Sequence, residues 1–271
     1  MSKERLDRGL EKAVSLYKEC SGTGKGPFLV ADDVFYSSFE KWSSNNEDCW
    51  RLAFLEREAG SGVGSVYIFG DPSNVHDETK QWFFHKLCRQ VERHLMLTSP
   101  ELDIRSFVRV LGSSRFALGN GSKEPDASFS TASQKHPFPR VVLEVGYKNE
   151  PFEVLVRELN HWVRSGCKLA IGIQISYATL STSSSSLQLL WVQEEAGKGT
   201  QIIDFSPGVC TLETKEDFLV WFPFSMLSSD VPDCHDIPLT FDLYQLQSTI
   251  KELVQEEFDL YQLQSTIKEM V

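Results

Sequence analysis

No Cys-x-x-Cys pair occurs in this chain, and its six cysteines, Cys20, Cys49, Cys88, Cys167, Cys210 and Cys234, are scattered. That spacing excludes a zinc-ribbon site and a dense disulfide framework, and it predicts reduced thiols in an intracellular compartment, cytoplasmic or nuclear. No stretch approaches the roughly 18 apolar residues of a membrane span, and charge runs through the first twenty residues, so neither a span nor a secretion signal is predicted. The Gly-rich stretches 22–26 and 60–64 lack the phosphate-loop and dinucleotide patterns. A Gly-x-Ser-x-Gly elbow and a His-Glu-x-x-His helix are missing too, which removes α/β-hydrolase and zincin chemistry.

Positive charge is scarce as well. Lys and Arg number 27 against 38 Asp and Glu, a formal net charge of −11. That excess disfavours a polyanionic partner, because nucleic-acid affinity is largely phosphate neutralisation. Its distribution changes the reading. Residues 230–271 carry nine acidic side chains against Lys251 and Lys268, a balance of −7, so most of the excess lies in the C-terminal tail. Residues 79–123 carry eight basic side chains against Glu92, Glu101 and Asp103, a balance of +5. Within that segment Lys80, Arg109, Arg115 and Lys123 are the candidates to face a DNA backbone; the other reading is an ordinary solvated helix face plus strand ends.

What is present is the composition of a folded protein: 41% hydrophobic and 24% charged over 271 residues, enough for one large domain with additions. An amphipathic helix is predicted over 3–18, where Leu6, Leu10, Val14 and Tyr17 share a face. A short apolar run follows at 28–30, then a second helix capped by Asp32 or Asp33 and reaching Trp42. Strands are predicted at 51–55 and 63–69, and a long helix at 77–97. Strands follow at 104–111, 115–118, 126–129 and 140–145, the last nearly all apolar and so buried on both faces. A helix over 152–163 and a strand over 169–175 then complete a βαβ unit, with further strands at 187–192 and 201–205. The Ser/Thr run 179–186 reads as a loop. The predicted fold class is α/β, a mixed central sheet flanked by helices. Its divisions are a helical and strand extension over 1–60, a core over 61–240 and a helical tail over 241–271.

That tail repeats itself. FDLYQLQSTIKELV at 241–254 recurs at 258–271 with Leu253 replaced by Met270. Each copy is amphipathic, and the 17-residue period turns the second apolar stripe by roughly 100° on a continuous helix. One copy docked and one redundant is the main expectation; self-association through this helix is the other.

The constellation with chemical content is Pro125-Asp126, twelve mostly polar residues, then Pro139-Arg-Val-Val-Leu-Glu144-Val-Gly-Tyr-Lys148. Two strands bearing one carboxylate each offer hard oxygens to Mg²⁺, which binds through one or two carboxylates plus waters and phosphate oxygens. Glu144 ends an apolar strand, where a bare carboxylate is costly unless it is paired or metal-bound; Arg115 and Arg157 are the candidate partners. Asp126 also reads as a turn residue after Pro125, and Glu78 as a carboxylate suited to a helix N-terminus. His76 reads as a capping or surface histidine.

Over residues 67–176 the order of motifs resembles the PD-(D/E)XK nuclease superfamily, in particular the Uma-type restriction-endonuclease-like proteins and their fungal relatives. The matching residues are Asp71-Pro72, His76-Asp77-Glu78 at a helix start, Pro125-Asp126, the strand from Pro139 to Val145, the helix from Phe152 and the strand from Leu169. The resemblance implies a restriction-endonuclease-like core and metal-dependent hydrolysis of DNA phosphodiester bonds. By it, Asp126, Glu144 and the carbonyl of Val145 would hold Mg²⁺ or Mn²⁺, with Glu78 as a further acidic residue. The family's Glu-x-Lys places lysine where this chain has Gly146. Lys148 is the nearest substitute, about 6.8 Å further along the strand, and would orient water or stabilise charge. A domain that has lost catalysis and binds nucleic acid or protein, as an effector or mobile-element remnant, is the alternative.

Overall fold

The computed structural model describes residues 3–20, 28–43, 51–57, 61–69, 74–112, 114–118, 121–135, 138–147, 151–176, 185–193 and 200–269. Helix α1 (Lys3–Cys20), strand β1 (Phe28–Phe35), helix α2 (Tyr36–Ser43) and strands β2 (Arg51–Glu56) and β3 (Val63–Phe69) come first. The three strands form an antiparallel sheet in the order β1-β3-β2. Leu6, Leu10 and Ala13 of α1 and Phe39 and Trp42 of α2 bury against it. Because β3 is the middle strand, this sheet runs past residue 60.

The predicted cap at Asp32 or Asp33 is replaced by strand. Here β1 continues to Phe35, with its pairing to β3 interrupted around Asp33, whose φ of 55° is left-handed. Asp accepts that conformation at modest cost, and an extra residue there is how a strand bulges. Asp32 does not cap a helix; its carboxylate accepts from Ser65 Oγ at 2.6 Å and pairs with Arg57 at 3.1 Å.

Helix α3 (Asn74–Thr98) opens the second unit. Then come β4 (Val108–Val110), the hairpin β5 (Phe116–Leu118) and β6 (Gly121–Lys123), β7 (Ala127–Thr131) and β8 (Val141–Tyr147). The predicted strand at 104–111 is shorter than expected, since Asp103 caps a 3₁₀ turn over Ile104–Ser106 and delays pairing to Val108. Helix α4 (Phe152–Arg164), β9 (Leu169–Ser176), β10 (Ser186–Gln193), β11 (Gln201–Asp204), β12 (Leu219–Pro223), β13 (Pro238–Asp242) and helix α5 (Leu243–Glu269) follow. Most of the Ser/Thr run lies outside the described residues.

The central sheet has six strands in the order β11-β10-β9-β8-β7-β4. It is mixed: β8 and β9 run parallel across α4, while the other pairs are antiparallel. Alternation along β8 sets the layers. Val141, Leu143 and Val145 face α3 and α5, with Phe83, Leu87 and Val91 of α3 and Leu243, Leu246 and Ile250 of α5. Val142 faces the other way, toward Leu155, Leu159 and Trp162 of α4. The expected α/β architecture, a mixed sheet with helices on both faces, is therefore what the chain forms.

The two copies of the tail repeat share the continuous helix α5. The first reaches the core through Phe241, Leu243, Leu246 and Ile250, while Phe258, the counterpart of Phe241, is 52% exposed. Among the described residues no helix is long and apolar enough to cross a membrane, and Cys88, Cys167, Cys210 and Cys234 are free thiols.

Candidate functional site

The antiparallel register of β7 and β8 pairs Ala127 with Leu143. One step further sets Asp126 opposite Glu144, both on the face that meets α4. Each carboxylate is tied to the other's backbone. The Asp126 amide donates to Glu144 Oε2 at 3.3 Å, and the Val145 amide donates to Asp126 Oδ2 at 2.7 Å. Only 6% of Asp126 and 4% of Glu144 is exposed.

Glycine on the neighbouring strand brings the helix onto this pair. In the parallel register Glu144 lies beside Gly172, where a Cβ would come within 2.6 Å of Leu159 Cδ1. The bare backbone lets α4 settle close to the sheet. Its Trp162 Nε1 then donates to Glu144 Oε1 at 2.7 Å, and Glu158, one turn earlier, joins as a third buried carboxylate.

The cation among them is Lys123, at the end of β6. Its ammonium lies 2.8 Å from Glu144 Oε1 and 2.5 Å from Glu158 Oε2. These are ion pairs at contact distance. Lys123 was expected on a phosphate-facing surface; its side chain is instead 12% exposed, because two buried carboxylates attract it inward. From α3, His76 Nε2 reaches Asp126 Oδ2 at 2.9 Å. The capping or surface role expected of His76 thus gives way to a buried contact with the site.

Other expected residues fall elsewhere. Glu78, on the same helix, is exposed, so the contact from α3 to Asp126 comes from His76 instead. Lys148 lies outside the described residues. Val145 meets Asp126 through its amide. Lys80 pairs with Asp77 at 2.7 Å and Arg115 with Glu124 at 3.0 Å, so much of the basic segment is matched by acids within the chain. Arg109 is exposed and donates to the Ala132 carbonyl at 3.0 Å. Neither Arg115 nor Arg157 supplies the expected counter-ion to Glu144; Lys123 does. Where the family carries its lysine, a Cβ on Gly146 would lie 2.8 Å from Gln174 Oε1, so the neighbouring strand's side chain fills that space.

The electrostatics follow from three carboxylates around one ammonium. Burial alone would lower the pKa of Lys123, but Glu144 and Glu158 outweigh it and raise the group above its ordinary value. Burial raises Glu144 to about 7 even though Lys123 opposes the shift, because Asp126 and Glu158 add to it. A simple ion pair would lower the carboxylate; the rise records burial first, with two neighbouring carboxylates adding to it.

A pH dependence follows. Between 4.5, the ordinary value, and about 7, the folded chain holds a proton on Glu144 that the unfolded chain has lost. Unfolding then releases a proton, so this contribution to stability is complete below pH 4.5 and is lost as pH rises through 7. Urea unfolding midpoints at pH 5, 6 and 7 should fall in the wild type relative to Glu144→Gln, by a total on the order of 2–3 kcal/mol. Parallel profiles would show that Glu144 holds no such proton.

Among the described residues no three His, Cys, Asp or Glu side chains are drawn together as a metal cage. The chemistry of the donors nevertheless suits a hard cation: three buried carboxylates, one of which, Glu158, has a buried Oε1 with no hydrogen-bond partner.

No protein-family model and no curated protein matches the chain. Among solved structures it is similar to the crystal structure of a "putative nuclease belonging to DUF820" from Anabaena variabilis ATCC 29413. The identity is 11%, over 80% of this chain and 99% of that one, with a TM-score of 0.46. A likeness of that degree fixes neither site nor chemistry, which rest on the residues above.

Proposed function

We propose that this domain is a restriction-endonuclease-like nuclease that hydrolyses DNA phosphodiester bonds with Mg²⁺ or Mn²⁺ at the cluster of Asp126, Glu144 and Glu158. The observation that carries the reading is the convergence of these buried carboxylates on one face of the sheet with too little positive charge to neutralise them. When bound, the ion would supply an activated water and stabilise charge on the phosphate. The chain's own residues do the rest. Asp126 and Glu144 offer oxygens; the Val145 amide and the Trp162 indole hold those carboxylates in orientation, and His76 fixes Asp126 from the far side. Lys123 takes the role first assigned to Lys148, a cation beside the reacting phosphate. Arg109, exposed on β4, is a candidate backbone contact.

Nicking of supercoiled plasmid in Mg²⁺ or Mn²⁺ tests this. The wild type should cut, and Asp126→Ala and Glu144→Ala should each lose roughly 100-fold or more in rate, since a missing ligand removes the ion's charge stabilisation. Equal behaviour of all three proteins would sink the nuclease reading.

One observation favours a second reading. The ammonium already pairs with Glu144 and Glu158, as in a domain that has given up its metal and binds nucleic acid or protein instead. Salt-dependent DNA binding without cleavage would support it.

A further inference from the structure

The acidic cluster holds its lysine in an unusual way. One ammonium is shared between two carboxylates, and the second oxygen of one of them, Glu158 Oε1, is buried with no hydrogen-bond partner. Glu158 is only 3% exposed, so water does not serve that oxygen freely. A carboxylate left in this state can still accept from a cation, and a hard divalent ion satisfies more oxygens than an ammonium with three fixed protons.

The element that delivers the lysine is separate from the one that holds the acids. Glu144 is on a central strand and Glu158 on α4, both locked into the core. Among the described residues Lys123 ends a three-residue strand that ladders with β5, in a two-stranded sheet apart from the six-stranded one. Its partner strand is anchored, with Leu118 buried and Phe116 edge-on to Trp162 at 6.0 Å. β5 is anchored in this way, and β6, which also lies against β2, carries the charge.

We propose that Lys123 is a displaceable occupant of a divalent-cation seat formed by Glu144 and Glu158, so that an incoming ion must push the ammonium out before it binds. This deepens the metal-site reading above and rests on it, adding the exchange of the Lys123 ammonium for the ion. The exchange needs no bond-making: a unit positive charge leaves and a double one arrives, among carboxylates that outnumber their cations.

The consequence runs against ordinary expectation for a lysine in a nuclease-like site, because removing it should improve metal binding. Mn²⁺ affinity, read from the electron-spin-resonance signal of the free ion, should be at least tenfold tighter in Lys123→Met than in the wild type. In Lys123→Met/Glu158→Gln that gain should vanish. Equal or weaker binding by Lys123→Met, or a gain that survives Glu158→Gln, overturns the proposal. A second measurement uses the wild type and holds even if the variant fails to fold. Acetylation of Lys123, followed by mass spectrometry, should be slow in chelator and several-fold faster in saturating Mn²⁺, with an exposed lysine such as Lys251 as the reference. An unchanged rate overturns the exchange. The nuclease reading fails separately: tight Mn²⁺ binding by Lys123→Met with no plasmid cleavage by any form would leave the exchange standing without it.

Discussion

In metal-free buffer, Lys123→Met should destabilise the fold by about 3–5 kcal/mol, the usual consequence of removing one partner from a buried ion pair. The ammonium is bracketed by side chains of Glu144 and Glu158 that are 5% and 3% exposed. Without it those carboxylates face each other in a medium where like charges repel strongly, with Asp126 tied to the Glu144 carboxylate by a backbone hydrogen bond. Part of the loss should be relieved by uptake of protons, so the deficit should grow with pH. Adding Glu158→Gln to Lys123→Met removes one stranded charge and should restore roughly 1–2 kcal/mol, making the pair non-additive. Urea midpoints for the four proteins of the cycle measure this. A loss below roughly 1 kcal/mol for the single variant is what an exposed surface pair gives, and would contradict the burial of Lys123.

The repeated tail offers an internal control of unusual clarity, because one sequence sits in two environments. Phe241 is 1% exposed, stacked on Phe83 with ring centroids 4.1 Å apart and nearly parallel, and packed on Phe222 at 5.6 Å. Phe241→Ala should therefore cost about 3–5 kcal/mol, the loss of a fully buried aromatic plus the cavity it leaves. Phe258→Ala, at the same position of the repeat but half exposed, should stay within about 1 kcal/mol. Thermal or urea unfolding of the two variants decides the matter. Equal losses would mean that the second copy has a docking surface of its own, in a neighbouring chain, as expected of self-association.

Much of this architecture was legible because period and burial agree. The nearly continuous apolar run marked β8 as central, and in the fold its alternation sets Glu144 with Val142 on the face that meets α4. The 3–4 spacing likewise marked the buried residues Phe83, Leu87 and Val91 of α3 and Leu155 and Leu159 of α4. Glu144 stood out because a carboxylate ending an apolar strand is costly unless paired or metal-bound, whereas Asp126 also read as a turn residue after Pro125.

The rest of the site depended on tertiary approach, which periodicity does not encode. Lys123 lies three residues before Asp126, a proximity visible in Lys-Glu-Pro-Asp, yet a basic residue beside a turn reads first as surface. Glu158 was hidden inside an amphipathic helix, where a charged residue is ordinarily assigned to the solvated side. What makes it internal is Gly172 on the adjacent strand, which admits α4 so closely that this face too is buried. The misplaced cap at Asp32 has a similar origin, since pairing with β3 overrode a local preference for helix.

Helix α5 spans 27 residues, close to 40 Å of rod. Its root is cemented into the same apolar layer that backs β8, and further along Glu257 accepts a 2.6 Å hydrogen bond from the Tyr147 hydroxyl, three positions past Glu144. Torque applied beyond Glu257 by anything that grasps the outer repeat would be transmitted along a stiff lever to the end of the strand that bears the buried Glu144 carboxylate. Duplication has, in effect, fitted a handle to the acidic centre.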